Sequence, residues 1–426
     1  MKMNKILFAV CSVLAFASVA TAKPSAGSVA VAQDGLGRVN VTYSLSGDEP
    51  GIVTVDFTCG GQPVGAKNYR FVWGDVNRVI RPDGEKHIWW DAKRDWPGHD
   101  VSDGTLKAVV TVWDVSAPPM YMDVGLLSKT NIAYYASEEA LPYPPTDDIY
   151  KTERMLFRRI YAKDVTWRMG SPSGEAGRES GEAPFLATFS SDYYIGVYPV
   201  TQRQFFNFHS TVGQSVNVVA KWPSKFTAAH GYADADFRPV EQISYTKLRG
   251  EERNGSATGC VWPTDGHKVR EGRIIDSFRK LTGLMLDLPT SAQWEYACRA
   301  GEPGALYLKD AELEELGWFE DNSPVDGEAQ THPVGLKKPN AWGLYDLYGN
   351  VMEWCLDRWG TYPTADEMPY EDWGGIDAAD SENVRVRRGG GYDKPAEKCR
   401  SAACVHDYSV ACGDPNLGFR LCCPAQ

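Results

Sequence analysis

The sequence predicts an α+β protein in two parts, a small antiparallel β-sandwich followed by a larger, irregular, loop-rich α+β domain. Three observations predict it. Apolar and polar residues alternate between residues 39 and 57, the period of half-buried strands. A proline-rich stretch, Leu141-Pro142-Tyr143-Pro144-Pro145, punctuates the chain. Beyond it glycine, proline and tryptophan are frequent and long helical periods are few.

At the N-terminus, Lys2 and Lys5 precede a short apolar run, Ile6 to Ala17, and then Ala20-Thr21-Ala22. Positive, apolar and small-residue segments in that order read as an export signal over residues 1–22. The run is too short to span a bilayer as a helix, and Val10 before Cys11 fits a lipid-anchor site poorly. The mature chain is expected to begin near Lys23, in the periplasm or secreted, with no transmembrane segment. Without Cys11, nine of the ten cysteines remain. Export permits disulfides, and an odd number leaves at least one thiol unpaired within the chain.

Residues 23–117 read as the sandwich. Val39, Val41, Tyr43 and Leu45 alternate with polar residues, as do Val53, Val55 and Phe57, with a turn-rich break from Gly47 to Gly51. The runs Tyr69 to Trp73 and Leu106 to Trp113 are rich in β-branched and aromatic residues. The Trp-rich piece from His87 to Gly98 reads as core and corner residues rather than as a carbohydrate-binding surface, because large aromatics are usually buried. Residues 118–150 read as a stiff linker. Met155, Phe157 and Ile160 open the second domain, placed at 151–426. Its best helix is Ser291 to Arg299, with Thr290 as N-cap and Trp294 and Cys298 one turn apart.

Formal net charge is −12, which excludes nucleic acid and anionic lipid as principal partners, since phosphate binding needs clustered cations. The one short basic set is Arg385, Arg387 and Arg388.

Within 151–426, a series of motifs follows in order. WRMGSPSGEAGRE (Trp167 to Glu179) precedes DYYIGVYPVTQRQFFNF (Asp192 to Phe208), RPVEQISY (Arg238 to Tyr245) and GLMLDLPTSAQWEYACRAG (Gly283 to Gly301). THPVG (Thr331 to Gly335), NAWGLYDLYGNVMEW (Asn340 to Trp354), VRRGGGY (Val386 to Tyr392), CRSAAC (Cys399 to Cys404) and NLGFR (Asn416 to Arg420) complete it. In this order they resemble the formylglycine-generating enzyme (sulfatase-modifying factor) family. The resemblance implies an irregular fold of C-type-lectin-like kind, in which loops and bound ions do much of the work of a regular core.

Carried over from the family, a calcium site would use the side chains of Asp346 and Glu353 and the carbonyls of Gly349 and Val351. Carboxylates mixed with carbonyls suit that hard cation. A second family calcium site would use Asp326, but its upstream partners are not recognisable around Trp318 to Asn322. Formylglycine-generating enzymes oxidise a substrate cysteine with O₂ and copper held by two cysteines, and soft thiolates select Cu(I). Here Lys394 stands where the first cysteine is expected, Gly391 where the family has serine, and Met352 where it has tryptophan. Cys399 and Cys404 keep the spacing of the catalytic pair but fall out of register, so they read as structural thiols or disulfide partners. The related iron-dependent branch is disfavoured, because none of the seven histidines is paired at i, i+4. No GxSxG nucleophile elbow occurs. The expected function is therefore that of an exported family member binding calcium and a peptide or glycan ligand, without copper oxidase chemistry. The alternative is an active oxidase that converts a sulfatase cysteine to formylglycine with copper at Cys399 and Cys404.

Overall fold

The computed structural model describes residues 22–99, 101, 104–127, 131–211, 223–250, 269–306, 312–360, 362–363, 368–375, 384–405 and 409–425. Cys11, Cys260 and all of the export signal but Ala22 lie outside them.

The first part is built from β1 (Ser25–Gln33), β2 (Arg38–Ser46), β3 (Gly51–Cys59), β4 (Val72–Gly74), β5 (Arg78–Ile80), β6 (Glu85–Asp91) and β7 (Leu106–Asp114). One sheet has the order β1-β2-β6-β4, and in the other β3 lies between β5 and β7 at its ends, paired antiparallel with both. Alternation sends Val39, Val41 and Tyr43 inward from β2 to meet Val53, Val55 and Phe57 from β3, with Ile88 and Trp90 from β6. Trp90 packs on Phe57 with ring centroids 4.8 Å apart. Trp89, its neighbour in sequence, leaves the sheet on the other face. The Trp-rich segment is therefore core only in part. The strand expected from Tyr69 shortens to Val72–Gly74, because Ala66–Asn68 forms a 3₁₀ turn just before it.

The second part contains β8 (Tyr121–Gly125), β9 (Ile132–Tyr135), β10 (Arg154–Ile160), β11 (Tyr193–Gly196), β12 (Met352–Arg358), β13 (Arg385–Arg388), β14 (Cys404–Val405), β15 (Leu417–Gly418) and β16 (Cys422–Pro424). Its longer helices are α1 (Gln202–Thr211), α2 (Ile274–Thr282) and α3 (Ser291–Arg299). A five-stranded sheet runs β9-β8-β10-β11-β16, and a four-stranded sheet runs β14-β13-β12-β15. Much of the remaining chain is loop, so the domain is α+β with little regular structure, as the glycine and proline content implied.

Residues 118–150 are not a linker throughout. β8 and β9 pair with each other, and β8 pairs with β10. Tyr121, Met122 and Val124 are each 1% exposed. Burial of those side chains in the sheet core outweighs the composition of the prolines that follow. Pro142, Pro144 and Pro145 fall in the segment after β9, and Pro118 and Pro119 precede β8. A backbone hydrogen bond from Tyr134 N to Asn77 O (2.9 Å) ties the second part to the sandwich. A small open cleft lies at this junction, lined by Asp56, Tyr69, Arg70, Asn77 and Tyr135 among others.

The basic set Arg385, Arg387 and Arg388 is buried on β13 and presents no cationic surface. Among the described residues no helix is long and apolar enough to cross a membrane.

Candidate functional site

The site is assembled where α3 meets β12. Thr290 Oγ1 accepts from Gln293 N, and the Gln293 side chain accepts from Thr290 N, a capping box that fixes the start of α3. One turn on, Trp294 Nε1 donates to Glu353 Oε2 at 2.7 Å. Glu353 is fully buried on β12, and Arg420 forks onto it, with Nη2 2.9 Å from Oε1 and Nε 3.0 Å from Oε2. Arg420 also donates to the carbonyls of Gly196, Val197 and Tyr345. All the polar capacity of this buried guanidinium is used, which is what a buried ion pair requires.

Asp346 lies beside this pair, 3% exposed and at φ 54°. Its Oδ2 accepts from Gly335 N (2.7 Å) and its Oδ1 from Asn350 Nδ2 (3.1 Å). Asn350 in turn clasps His332, accepting from its N–H and donating to its carbonyl, both at 3.0 Å. The THPVG loop is thus pinned onto Asp346 from both sides. Gly349 adopts φ +83°, and a Cβ there would lie 1.9 Å from Trp318 O, so the backbone approach admits only glycine. Val351 is fully buried next in the loop.

Burial pushes the Asp346 carboxyl above its usual range and the Glu353 charge adds to this, against the Gly335 amide, Asn350 and Arg420. Among the described residues Glu353 has an ion-pair partner and Asp346 has none. Arg420 and, farther out, Lys337 are the cations whose fields reach Asp346, and of these only Arg420 is bonded to Glu353. No group of three or more His, Cys, Asp and Glu is gathered as metal ligands among the described residues. Asp346 and Glu353 are two carboxylates, and carboxylates mixed with carbonyl oxygens are the donor set that calcium takes. Asp326, by contrast, is exposed, in the turn between Val325 and Glu328.

The cysteines are arranged differently. Cys399 is fully buried beneath Gly390, whose added Cβ would come 2.5 Å from its Sγ. Burial, with the charges of Asp393, Glu320 and Glu397, pushes its thiol up to about 12. Cys404, 8% exposed on β14, lies opposite Arg388, and burial raises its thiol against the arginine's pull. Arg388 reaches into the turn between them, donating to the carbonyls of Ser401 (3.2 Å) and Ala402 (2.8 Å). Copper is held by thiolates, and burial raises both thiols, which works against that form at Cys399 and Cys404. All eight described cysteines are free thiols, and only Cys412 is exposed.

The neighbouring positions are closed as well. A side chain at Gly391 would meet Asn416 Cβ at 3.1 Å. Asn416 Nδ2 holds both oxygens of Asp393, at 2.8 and 2.9 Å, and Lys394 Nζ lies 3.7 Å from the same carboxylate. Met352 is fully buried. Sequence reasoning placed the carboxylates but not their partners. Trp294 and Arg420 each lie in a quoted motif, yet stand 59 and 67 residues from Glu353, and no local spacing links them.

Residues 162–424 match the family described as sulfatase-modifying factor enzyme 1-like domain. The formylglycine-generating enzyme of Thermomonospora curvata is 31% identical over 283 residues, covering 60% of this chain and 89% of that protein. That of Streptomyces coelicolor is 35% identical over 276 residues, 59% and 84% of the two chains. The chaperone protein LppX of Paenibacillus barcinonensis is 29% identical over 231 residues, 47% of this chain and 70% of that one.

Proposed function

Because the chain belongs to the sulfatase-modifying factor enzyme 1-like family through residues 162–424, we propose that it is an exported, divergent member that binds calcium and a peptide or glycan ligand without copper oxidase chemistry. The observation that carries this reading is the burial of Cys399 and Cys404, which opposes the thiolate form that copper needs. The closed positions at Gly391, Lys394 and Met352 support it. Calcium would be held by Asp346, Glu353 and the carbonyls of Gly349 and Val351. It would supply fixed positive charge to a loop that otherwise buries an excess carboxylate, holding the Asn340–Trp354 segment in shape. Export rests on the N-terminal signal and implies a periplasmic or secreted protein. A relative named as a chaperone is consistent with a binding role.

The second reading is an active oxidase acting on a sulfatase cysteine, and the identity to enzymes named as formylglycine-generating favours it. Incubating the chain with a cysteine-containing sulfatase peptide, copper and O₂, and weighing the peptide, separates the two. Unchanged peptide mass is expected. Formylglycine product that disappears in Cys399→Ser would overturn the binding-only reading. Titration with Cu(I) should likewise find no tight site in the native chain.

A further inference from the structure

The outer face of the β1-β2-β6-β4 sheet carries a surface that the family domain does not use. One row across all four strands reads Ala32, Asn40, Trp89, Trp73. The next reads Ala30, Thr42, His87. Trp73 is 46% exposed, and Phe71, two residues earlier in the chain, is 40% exposed. The rings of His87 and Trp89 are within 16° of parallel, with centroids 6.2 Å apart. Arg94 lies over Phe71, 4.0 Å from the ring centroid. The alanines and threonine leave the sheet low beside these rings, so the aromatic side chains stand above it as a platform. Contiguous exposed aromatics of this kind mark interaction sites.

The charged groups around the platform come in both signs, with Lys93 and Arg94 set against Asp91 and Asp95. Arg38 pairs with Asp34 at 2.9 Å, and His87 Nε2 lies 3.4 Å from Glu85. The Asp91 carboxylate accepts from Arg94 N, and that of Asp95 from Phe71 N. No excess charge is offered to a partner, and a chain of net charge −12 repels both a second copy and a polyanion. An uncharged partner with flat C–H faces and hydroxyl edges is the complement of this surface. The electron-rich ring faces attract polarised C–H groups, and the Asn40 amide, next to Trp89 in the row, has its Oδ1 3.4 Å from His87 Nδ1 and its NH2 group left as a donor.

We propose that this face is a binding platform for a neutral polysaccharide, with pyranose rings stacked on Trp73 and Trp89 and hydroxyls met by Asn40. It belongs to the sandwich and shares no residue with the site around Asp346, so its failure would leave the reading of that site untouched. The test is affinity electrophoresis of the full chain through gels holding soluble xylan, hydroxyethyl cellulose or polygalacturonate. Trp73→Ala and Trp89→Ala run beside it, and melting curves verify that the variants fold. Retardation by at least one neutral polysaccharide is expected, weakened about tenfold by either substitution, the scale of one lost aromatic contact. The proposal is overturned by an unretarded wild type, by retardation in polygalacturonate alone, or by retardation that both variants retain. A concentration-dependent dimer in sedimentation that Trp73→Ala abolishes would assign the face to a second copy instead.

Discussion

Removing calcium is expected to lower the melting temperature of the chain, and Asp346→Asn combined with Glu353→Gln to abolish that response. The magnitude follows from the surroundings of Asp346. The carboxyl is 3% exposed, accepts two hydrogen bonds, and has no ion-pair partner among the described residues. Burial holds its pKa above the ordinary value of 3.8. Without a cation, the folded chain keeps a charge that water would solvate better in the unfolded chain. With calcium a hundredfold above its Kd, binding adds about 2.7 kcal/mol, or roughly 5 °C for a domain of this size. The pH dependence has a definite direction. Below about pH 3.8 both states are protonated and Asp346 costs the calcium-free fold nothing. As pH rises, the unfolded state ionises first, and the calcium-free fold loses stability until its own raised pKa is passed. Calcium should therefore stabilise more at pH 7 than at pH 5. Asp346→Asn keeps an acceptor for the Gly335 amide and should cost about 1 kcal/mol. Scanning calorimetry in calcium and after dialysis against chelator measures all of this. Superimposed wild-type curves, or a variant that still responds to chelator, would refute the reasoning.

Arg420→Met leaves Glu353 charged, fully buried and without its cation, and should cost about 3–5 kcal/mol in urea denaturation. Burial raises Asp357 to about 7, and the same cause raises Glu241 to about 7. Stability should therefore fall as pH rises from the ordinary carboxyl range to about 7, by up to about 1.4 kcal/mol per pH unit for each group. Asp357→Asn should flatten that slope in urea midpoints taken across the range, and an unchanged slope would count against it. In the native chain iodoacetamide should label Cys412 and spare Cys399 and Cys404 until denaturant is added, as peptide mass mapping will read. Trp90→Ala removes a fully buried ring and should cost about 3–5 kcal/mol. Trp89→Ala, on the opposite face, should cost far less in the same urea titration.

Local features of the fold were legible from residues alone. Thr290 as N-cap and the one-turn spacing of Trp294 and Cys298 marked a helix from Ser291 to Arg299, and α3 has those bounds. The alternation of Val39, Val41 and Tyr43 marks the inner face of β2 because the strand period is local. β8 and β9 were misread as linker because their short apolar stretches gain order only by pairing with β10. The Trp-rich segment reads as core and corner residues, whereas the pleat divides its strand, Trp90 inward and Trp89 outward.

By itself, the sequence determined the family, through motifs in a fixed order, the two-part α+β architecture, and the acidic residues of the candidate calcium loop. These depend on residue identity and near-neighbour spacing, which a linear chain carries in full. Tertiary structure alone decided that Arg420 and Trp294 hold Glu353, that Cys399 and Cys404 are buried thiols, and that Trp73 joins Trp89 on one exposed face. Each of these depends on which distant segments meet and how much water they exclude. Charge compensation, thiol protonation and ring exposure are consequences of that packing.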